Sequence, residues 1–307
     1  MRTVVLNNNN VLQNGKNNTL IYNFPTTAAF DKSYVAVASV SMYYSWFNIA
    51  SQYANNVLSY TWTVGSTSTI YYVGGTSFPS TSPTTIPDGL YEVATLNQLL
   101  QYTMIGNGHY LVNTATAQNV YFLEIIVNDA RYRVQVNTFN VPTSLPSGYT
   151  APTALPGYPT LVTSPAVYIP YDGIGKILGF DVSSPVPYIP SVVGGVALAA
   201  GSSTLSPSTP NIQPNSSVLV SIDKVDNPYA SPTSVVYSIT PSVAVGAIIA
   251  DKPPQLLWNK LIKGQYSQLR VTLLGTDLNL LSIQDGAMTI ILAIAEETEA
   301  IGVFIPK

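Results

Sequence analysis

The only histidine, His109, stands in the run Gly106-Asn107-Gly108-His109-Tyr110. A histidine works as a general base when a nucleophile and an orienting acid stand beside it, and no spacing in the chain supplies that pair. In a glycine-rich run it is expected to be a solvated loop residue. Glu296, Glu297 and Glu299 form the one acidic cluster; next to a terminal strand they read as a solvated tail. A metal site needs several His, Asp or Glu at matched spacing, which the sequence lacks. Cysteine is absent, which excludes disulfides, thiolate metal sites and cysteine catalysis. There is no phosphate loop, dinucleotide fingerprint or Gly-x-Ser-x-Gly elbow. Paired glycosidase carboxylates can lie far apart in sequence, so scarce Asp and Glu lower that option without closing it. These residues predict no enzyme, no cofactor and no metal.

Charged residues make up 9% of the sequence, against about 25% in ordinary globular chains. Hydrophobic residues reach 46%, and tyrosine alone contributes 21. A surface of Tyr, Thr, Ser and Asn with few charges costs little to desolvate. Tyrosine also buries a large area at low entropic cost, so extensive protein contacts are favoured. The alternative reading is a robust β protein with a polar skin. Net charge is −3 and the basic residues are scattered. Arg131 and Arg133 alternate on one face of a predicted strand, and Lys252, Lys260 and Lys263 form a loose group. Neither tracks a phosphate backbone, so direct nucleic-acid binding is not expected. The longest apolar runs, Val243–Ala250 and Ala287–Ala295, fall short of the ~20 residues a spanning helix needs. The opening run MRTVVLNNNN does not read as a signal peptide, so the sequons at Asn17 and Asn215 carry little weight.

The elements that position these residues centre on Ser33–Ile49, SYVAVASVSMYYSWFNI. Its Val and Tyr content predicts an extended strand, with Ala36, Ala38, Val40 and Met42 on one face and Val35, Val37, Ser39 and Ser41 on the other. Small and apolar residues on both faces suit a strand with a second layer or subunit over it. Before it, Val4–Leu6 and Thr19–Phe24 read as short strands; the first can join a neighbouring subunit's sheet or its own. Leu58–Val64 alternates cleanly, with Leu58, Tyr60, Trp62 and Val64 on one side, and Thr69–Val73 is its hairpin partner. Thr95–Ile105 is the one convincing helix, capped by Thr95 and stopped by Gly106-Asn107-Gly108. Val120–Val127 and Tyr132–Val136 follow as strands around the Asn128-Asp129 turn.

Proline then recurs from Val141 to Pro165, and a second such stretch runs from Ser183 to Asn215; both are predicted insertions or extended arms. Between them, Gly179-Phe180 suggests an aromatic anchoring a turn against the core. Strands return at Val218–Ile222, Val235–Ile239, Val243–Ile249, Leu269–Leu274 and Met288–Ile294, with a short helix possible at Leu256–Ile262. In Leu269–Leu274, Leu269, Val271 and Leu273 oppose Arg270 and Thr272. The pattern predicts an all-β sandwich, a single domain over 1–307 with insertions at about 141–165 and 183–215. Ser33–Ile49 is expected to pair with a strand of the C-terminal third, as Greek-key connections require.

Four runs, in order and spread from end to end, carry a resemblance. They are SYVAVASVSMYYSWFNI (Ser33–Ile49), PDGLYEVATLNQLLQ (Pro87–Gln101), ILGF (Ile177–Phe180) and LRVTLLGTDLNLLSIQDGAMTIILAI (Leu269–Ile294). Together they resemble the single jelly-roll vertex (penton) proteins of double-stranded DNA viruses with double jelly-roll major capsid proteins. That lineage includes virophages, polinton-like viruses and large algal viruses such as those of chlorella. The proline-rich insertions have no counterpart in the family pattern.

The resemblance implies a single jelly roll, a non-enzymatic structural role and a place in the outer capsid shell of the virion. It further implies a homopentamer closing each icosahedral fivefold axis, with the neighbouring major capsid protein and minor capsid proteins or a vertex attachment as partners. A heterologous contact repeated with closing rotation gives such a ring. Rival readings are a minor capsid or cement protein of the same fold and a carbohydrate-binding β-sandwich at a host-facing surface. Aromatic side chains dominate protein contacts, so Tyr149 and Tyr158 in the first proline-rich segment and Trp258 are the candidate interface residues.

Overall fold

The computed structural model describes residues 1–152, 164–180, 200–213, 215–297 and 299. In chain order the strands are β1 (Arg2–Leu6), β2 (Thr19–Phe30), β3 (Ser33–Tyr43), β4 (Ser59–Val64), β5 (Thr67–Tyr72), β6 (Tyr110–Asn113), β7 (Asn119–Tyr121), β8 (Leu123–Asn128) and β9 (Arg133–Phe139). They continue with β10 (Tyr149–Thr150), β11 (Ala166–Tyr168), β12 (Ala200–Leu205), β13 (Val218–Ile222), β14 (Val235–Ile239), β15 (Ile248–Asp251), β16 (Asn259–Lys260), β17 (Gly264–Leu274) and β18 (Met288–Glu296). The helices are α1 (Val93–Asn107) and the single-turn α2 (Ile174–Leu178). The chain divides into two compact units: Met1–Phe47 with Pro214–Lys307, and the continuous Asn48–Gln213.

The first unit is a sandwich of two antiparallel sheets, ordered β1-β18-β3-β15, with β16 also on β3, and β14-β13-β17-β2. Counting its eight main strands along the chain, the sheets run first-eighth-third-sixth and fifth-fourth-seventh-second. That order is two interleaved Greek keys, the double-sheet jelly roll. The first strand joins its own sheet, with Arg2 opposite Ile294 and Leu6 opposite Ile290. Ser33–Tyr43 pairs with three strands of the C-terminal third, β15, β16 and β18, as expected.

Between the sheets lies one apolar core. Leu269, Val271 and Leu273 of β17 are fully buried and face Val35, Val37, Val40 and Met42 of β3 with Ile290 and Leu292 of β18. The β3 faces differ from the simple alternation. Its pairing with β18 steps from Val37↔Leu292 to Ser39↔Ile291, so Ala38 is a bulged residue. One extra residue reverses the phase of a strand. Val35 and Val37 therefore share the core side with Val40 and Met42. Ala36 and its register partner Ala293 face away from that core and are buried too. The strand is thus covered on both faces there, as its small outward residues require.

Two other elements of this unit depart from expectation. Leu256–Ile262 is not helical: Asn259 and Lys260 pair with Val35 and Tyr34, because an open β3 edge offers ladder bonds that a short helix after Pro253-Pro254 could not match. Strand formation over Val243–Ile249 is confined to its end, at β15, since Gly246 takes φ +80°.

The second unit is built from short strands around α1. Three-stranded sheets β11-β4-β5, β10-β6-β7 and β12-β9-β8 surround a core that includes Tyr60, Leu96, Leu100, Phe122 and Phe180. Leu58, Tyr60 and Trp62 are buried as the alternation predicts. Val120–Val127 is broken at Phe122 into β7 and β8, and the Asn128-Asp129 turn is longer than a tight pair, closing with Tyr132 at φ +51°. Helix α1 begins at Val93 with Glu92 before it, so Thr95 does not cap it; Gly108, at φ +75°, ends it as predicted. The ladder reaches into the first proline-rich segment, where Tyr149 and Thr150 pair with Asn113 and Val112. Much of the second such segment, with the middle of the first, lies outside the described residues.

Candidate assembly surfaces

Three of the four sequence runs converge in the second unit on Asn48. Its amide Nδ2 donates to the carbonyls of Tyr91 and Ile212, both at 2.7 Å, and its Oδ1 accepts the Tyr91 N–H at 2.9 Å. The neighbouring Ile49 exchanges both backbone bonds with Gly89. Ile177 of the ILGF run accepts from Asn211 N–H, one residue from the carbonyl that Asn48 holds. Asn55 adds to the knot, accepting from Ala50 N–H and donating to the Asn48 carbonyl. Buried amides used this way satisfy irregular backbone where no ladder runs. These residues are therefore structural fasteners.

His109 corrects the expectation of a solvated loop. It is 1% exposed, stacked on Trp62 with ring centroids 4.2 Å apart and an interplanar angle of 8°, and set edge-on to Tyr71. Gly108 lets the chain reverse at the end of α1, and the His109 N–H bonds back to the Met104 carbonyl. That delivers the ring into the β4–β5 hairpin. Asn107 Nδ2 donates to the Tyr60 hydroxyl oxygen at 3.2 Å, which leaves the hydroxyl hydrogen for His109 Nδ1 at 2.8 Å. Burial lowers the His109 pKa to about 3 and raises that of Tyr60, the Asn107 bond opposing the latter. The imidazole is neutral and enclosed, an arrangement that holds a helix end rather than one that turns over substrate.

Of the sequence-predicted contact residues, Tyr149 is half-buried and packs against its own unit's core. Tyr158 lies outside the described residues. Trp258 stands in the first unit, half-buried, and its indole N–H is buried without an acceptor. The surroundings of Trp258 were not legible from sequence. Leu257 is 54% exposed and Ile262 44%, while Tyr229, in the loop after β13, is 98% exposed. Leu261, beside Ile262, bridges to Val225, and Ile262 N–H bonds to the Lys224 carbonyl, which draws these loops to one end of the sandwich.

The same end gathers the four ion pairs found among the described residues. They are Lys263–Asp31 at 2.7 Å, Lys224–Asp223 at 2.8 Å, Lys32–Glu297 at 3.6 Å and the Met1 amine with Glu299 at 2.7 Å. The acidic cluster is thus partly paired, because β18 ends beside the β2–β3 turn. Exposed apolar side chains and charged residues at one end of a sandwich have the make-up of a protein contact surface.

Among the described residues, no group of three or more His, Cys, Asp or Glu could hold a metal, and no helix is long and apolar enough to cross a membrane. Strand order defines the class of protein: a jelly roll with a second unit inserted between its third and fourth strands. No family model and no curated protein matches the sequence. Among solved structures, the mavirus penton protein is similar over 96% of this chain and 98% of its own, at 10% identity and a TM-score of 0.40. A structure of the Sputnik virophage is similar over 98% and 99%, at 10% identity and a TM-score of 0.37.

Proposed function

We propose that the chain is a structural capsid subunit that closes the fivefold vertex of an icosahedral virion as a homopentamer. The observation that carries this reading is the first-eighth-third-sixth and fifth-fourth-seventh-second strand order, an arrangement that viral capsid domains share with lectins and cupins. Fold alone assigns no function. The sequence runs that resemble vertex proteins favour the capsid among these, and three of the runs are knotted together at Asn48. In this reading the chain is non-catalytic and lies in the outer shell, beside the major capsid protein.

The end of the sandwich around Trp258 is the contact surface best suited to such a neighbour. Its indole N–H is buried without an acceptor, and leaving a buried donor unpaired costs about 1–3 kcal/mol. Tyr149 and Tyr158 belong to the proposed contacts through the first proline-rich segment. Native mass spectrometry of the chain, alone and in assembly mixtures with its shell neighbours, tests the proposal. Closed pentamers are expected. Dimers as the largest species in every mixture would sink it. Trp258→Ala is expected to weaken assembly while leaving the monomer's secondary structure, read by circular dichroism, in place.

A further inference from the structure

Two Asn-Gly pairs occur in the chain, Asn14-Gly15 and Asn107-Gly108. An asparagine before glycine can be attacked by the backbone nitrogen of that glycine, because no side chain shields the nitrogen. The structure separates the two pairs. Asn107 is 8% exposed; its amide donates to Tyr60, Ser80 and the Thr103 carbonyl, and its Oδ1 accepts from the Ser80 N–H. The Gly108 N–H is engaged too, donating to the Ile105 carbonyl at 3.0 Å. Neither reacting group of that pair is free to move.

Asn14-Gly15 has the opposite setting. It lies in the loop between β1 and β2, with both residues exposed and nothing within 4 Å of where a Gly15 Cβ would stand. Gly15 takes φ +74°, and among the described residues its N–H makes no hydrogen bond. Asn14 Oδ1 accepts from the Lys16 N–H at 3.0 Å, an Asx turn. That bond folds the carboxamide back over the peptide it skips, and the nitrogen of that peptide is the Gly15 nitrogen. The Lys16 N–H also stands where negative charge develops on Oδ1 during attack, as an oxyanion donor does. We propose that Asn14 is a self-modification site, which deamidates through a cyclic succinimide formed with Gly15.

The chemistry needs only water. Hydroxide takes the Gly15 N–H proton, and the nitrogen lone pair forms a bond to Asn14 Cγ. The Cγ–Nδ2 bond breaks, and Nδ2 takes a proton from water and leaves as ammonia, which restores the hydroxide. Water then adds to one of the two ring carbonyls and opens the ring. The product is aspartate or, where the main chain now runs through the side-chain carbons, isoaspartate. Asp285-Gly286 forms a like turn, with the Ala287 N–H on Asp285 Oδ1 at 2.8 Å, but an ionised carboxylate repels the attacking anion. The chain is bolted next to Asn14-Gly15: the Lys16 carbonyl accepts the Ile283 N–H, and Asn17 Nδ2 donates to the Ile283 carbonyl, both at 2.9 Å. Gln284 N–H in turn reaches the Ser45 carbonyl, just past the end of β3, whereas Asn259 beside Trp258 pairs at its start. Each event therefore adds a negative charge to a chain of net charge −3, at the end of the sandwich away from Trp258.

Warm, mildly alkaline storage of the folded full chain, followed by ion exchange and peptide mass mapping, tests this. An acidic form is expected to accumulate, with the change mapped to residue 14 and isoaspartate among its products. Asn107 in the same molecules should react at least about tenfold more slowly, since a buried helix end must open first. Asn14→Gln lengthens the side chain, disfavours the five-membered ring and should abolish the acidic form. Denaturant should bring Asn107 up to the rate of Asn14 without speeding Asn14. The proposal is overturned by the lack of an acidic form, by a change mapped elsewhere, by equal rates at 14 and 107 in the folded chain, or by faster reaction at 14 after unfolding than before.

Discussion

The two units solve the same problem of backbone satisfaction by different means. In the jelly roll, β2, β3 and β17 are long strands whose ladders pair most backbone groups, and the core between them is almost wholly aliphatic. In the inserted unit the strands are short, much of the backbone is irregular, and side chains take over. Asn48, Asn55, Asn56 and Asn107 are all buried there and donate to carbonyls or hydroxyls. Packing alone can specify a sheet sandwich, whereas loops folded into a core need buried amides, which stabilise only while every partner is present.

That contrast can be pressed hardest in the jelly-roll core. Leu273→Ala, at the centre of β17, is expected to cost about 2–5 kcal/mol in denaturant titrations, because the sheets on either side cannot close the cavity. A loss below about 1 kcal/mol would mean that this core is loosely packed.

Acid should distinguish the units next. His109 is held neutral with its pKa near 3, below the 6.5 it regains on unfolding, so the unfolded chain binds the extra proton between those values. Its stabilising contribution is complete above pH 6.5 and is lost as pH falls toward 3, amounting to at most about 4–5 kcal/mol. The jelly roll has no histidine. Its affected carboxyls, Asp31 lowered by Lys263 and Glu299 lowered by the Met1 amine, respond only below the ordinary carboxylate range. Fluorescence of Trp62, stacked on His109, should therefore report loosening of the inserted unit between pH 6 and 4 before any change at Trp46. His109→Phe should flatten that slope, and an unchanged slope would remove His109 as its source.

Asn107→Ala probes the same network without titration. It strips hydrogen bonds from Tyr60, Ser80 and the Thr103 carbonyl, with an expected cost of about 1–3 kcal/mol in thermal melts. Smaller still is the effect of deleting Ala38. Removing the bulged residue leaves Val35, Val37, Val40 and Met42 in plain alternation, so the register survives. Deleting Thr61 from the unbulged β4 would instead turn Trp62 away from its core. Circular dichroism and Tm should rank the first well above the second. At the bottom of the scale, Lys263→Ala should leave Tm unchanged, since both partners of the Asp31 pair are largely exposed.

The same division governs what could be read from the sequence. Regular alternation was legible: Leu269–Leu274 and Leu58–Val64 bury the predicted faces, and the pairing of Ser33–Tyr43 with late strands followed from Greek-key logic. The faces of β3 depart from the simple alternation because nothing in Val-Ala-Ser marks a bulge that only the partner strand defines. The burial of His109 is hidden in the sequence for a related reason. Glycines on both sides of Asn107 suggest an open loop, while the stacking ring of Trp62 lies far away in sequence. Thr95 looked like a cap, but helix α1 starts at Val93, which is buried and docks against the core. The end of the sandwich that holds Trp258 is closed by a bridge between Val225 and Leu261 that no local pattern announces.

Placing the inserted unit between the third and fourth jelly-roll strands also sets the order in which the chain can fold on the ribosome. Arg2 must pair with Ile294 and Tyr34 with Ala295. The first three strands therefore emerge long before their partners. At roughly 5–20 residues per second, synthesis of the intervening chain keeps β1–β3 waiting on the order of ten seconds or more. Asn48–Gln213 is continuous and can fold as it leaves the exit tunnel, so nascent chains carry a finished inserted unit beside three unpaired, valine-rich strands. Those strands are the segment a chaperone must shield, and fast translation should favour yield of the soluble protein.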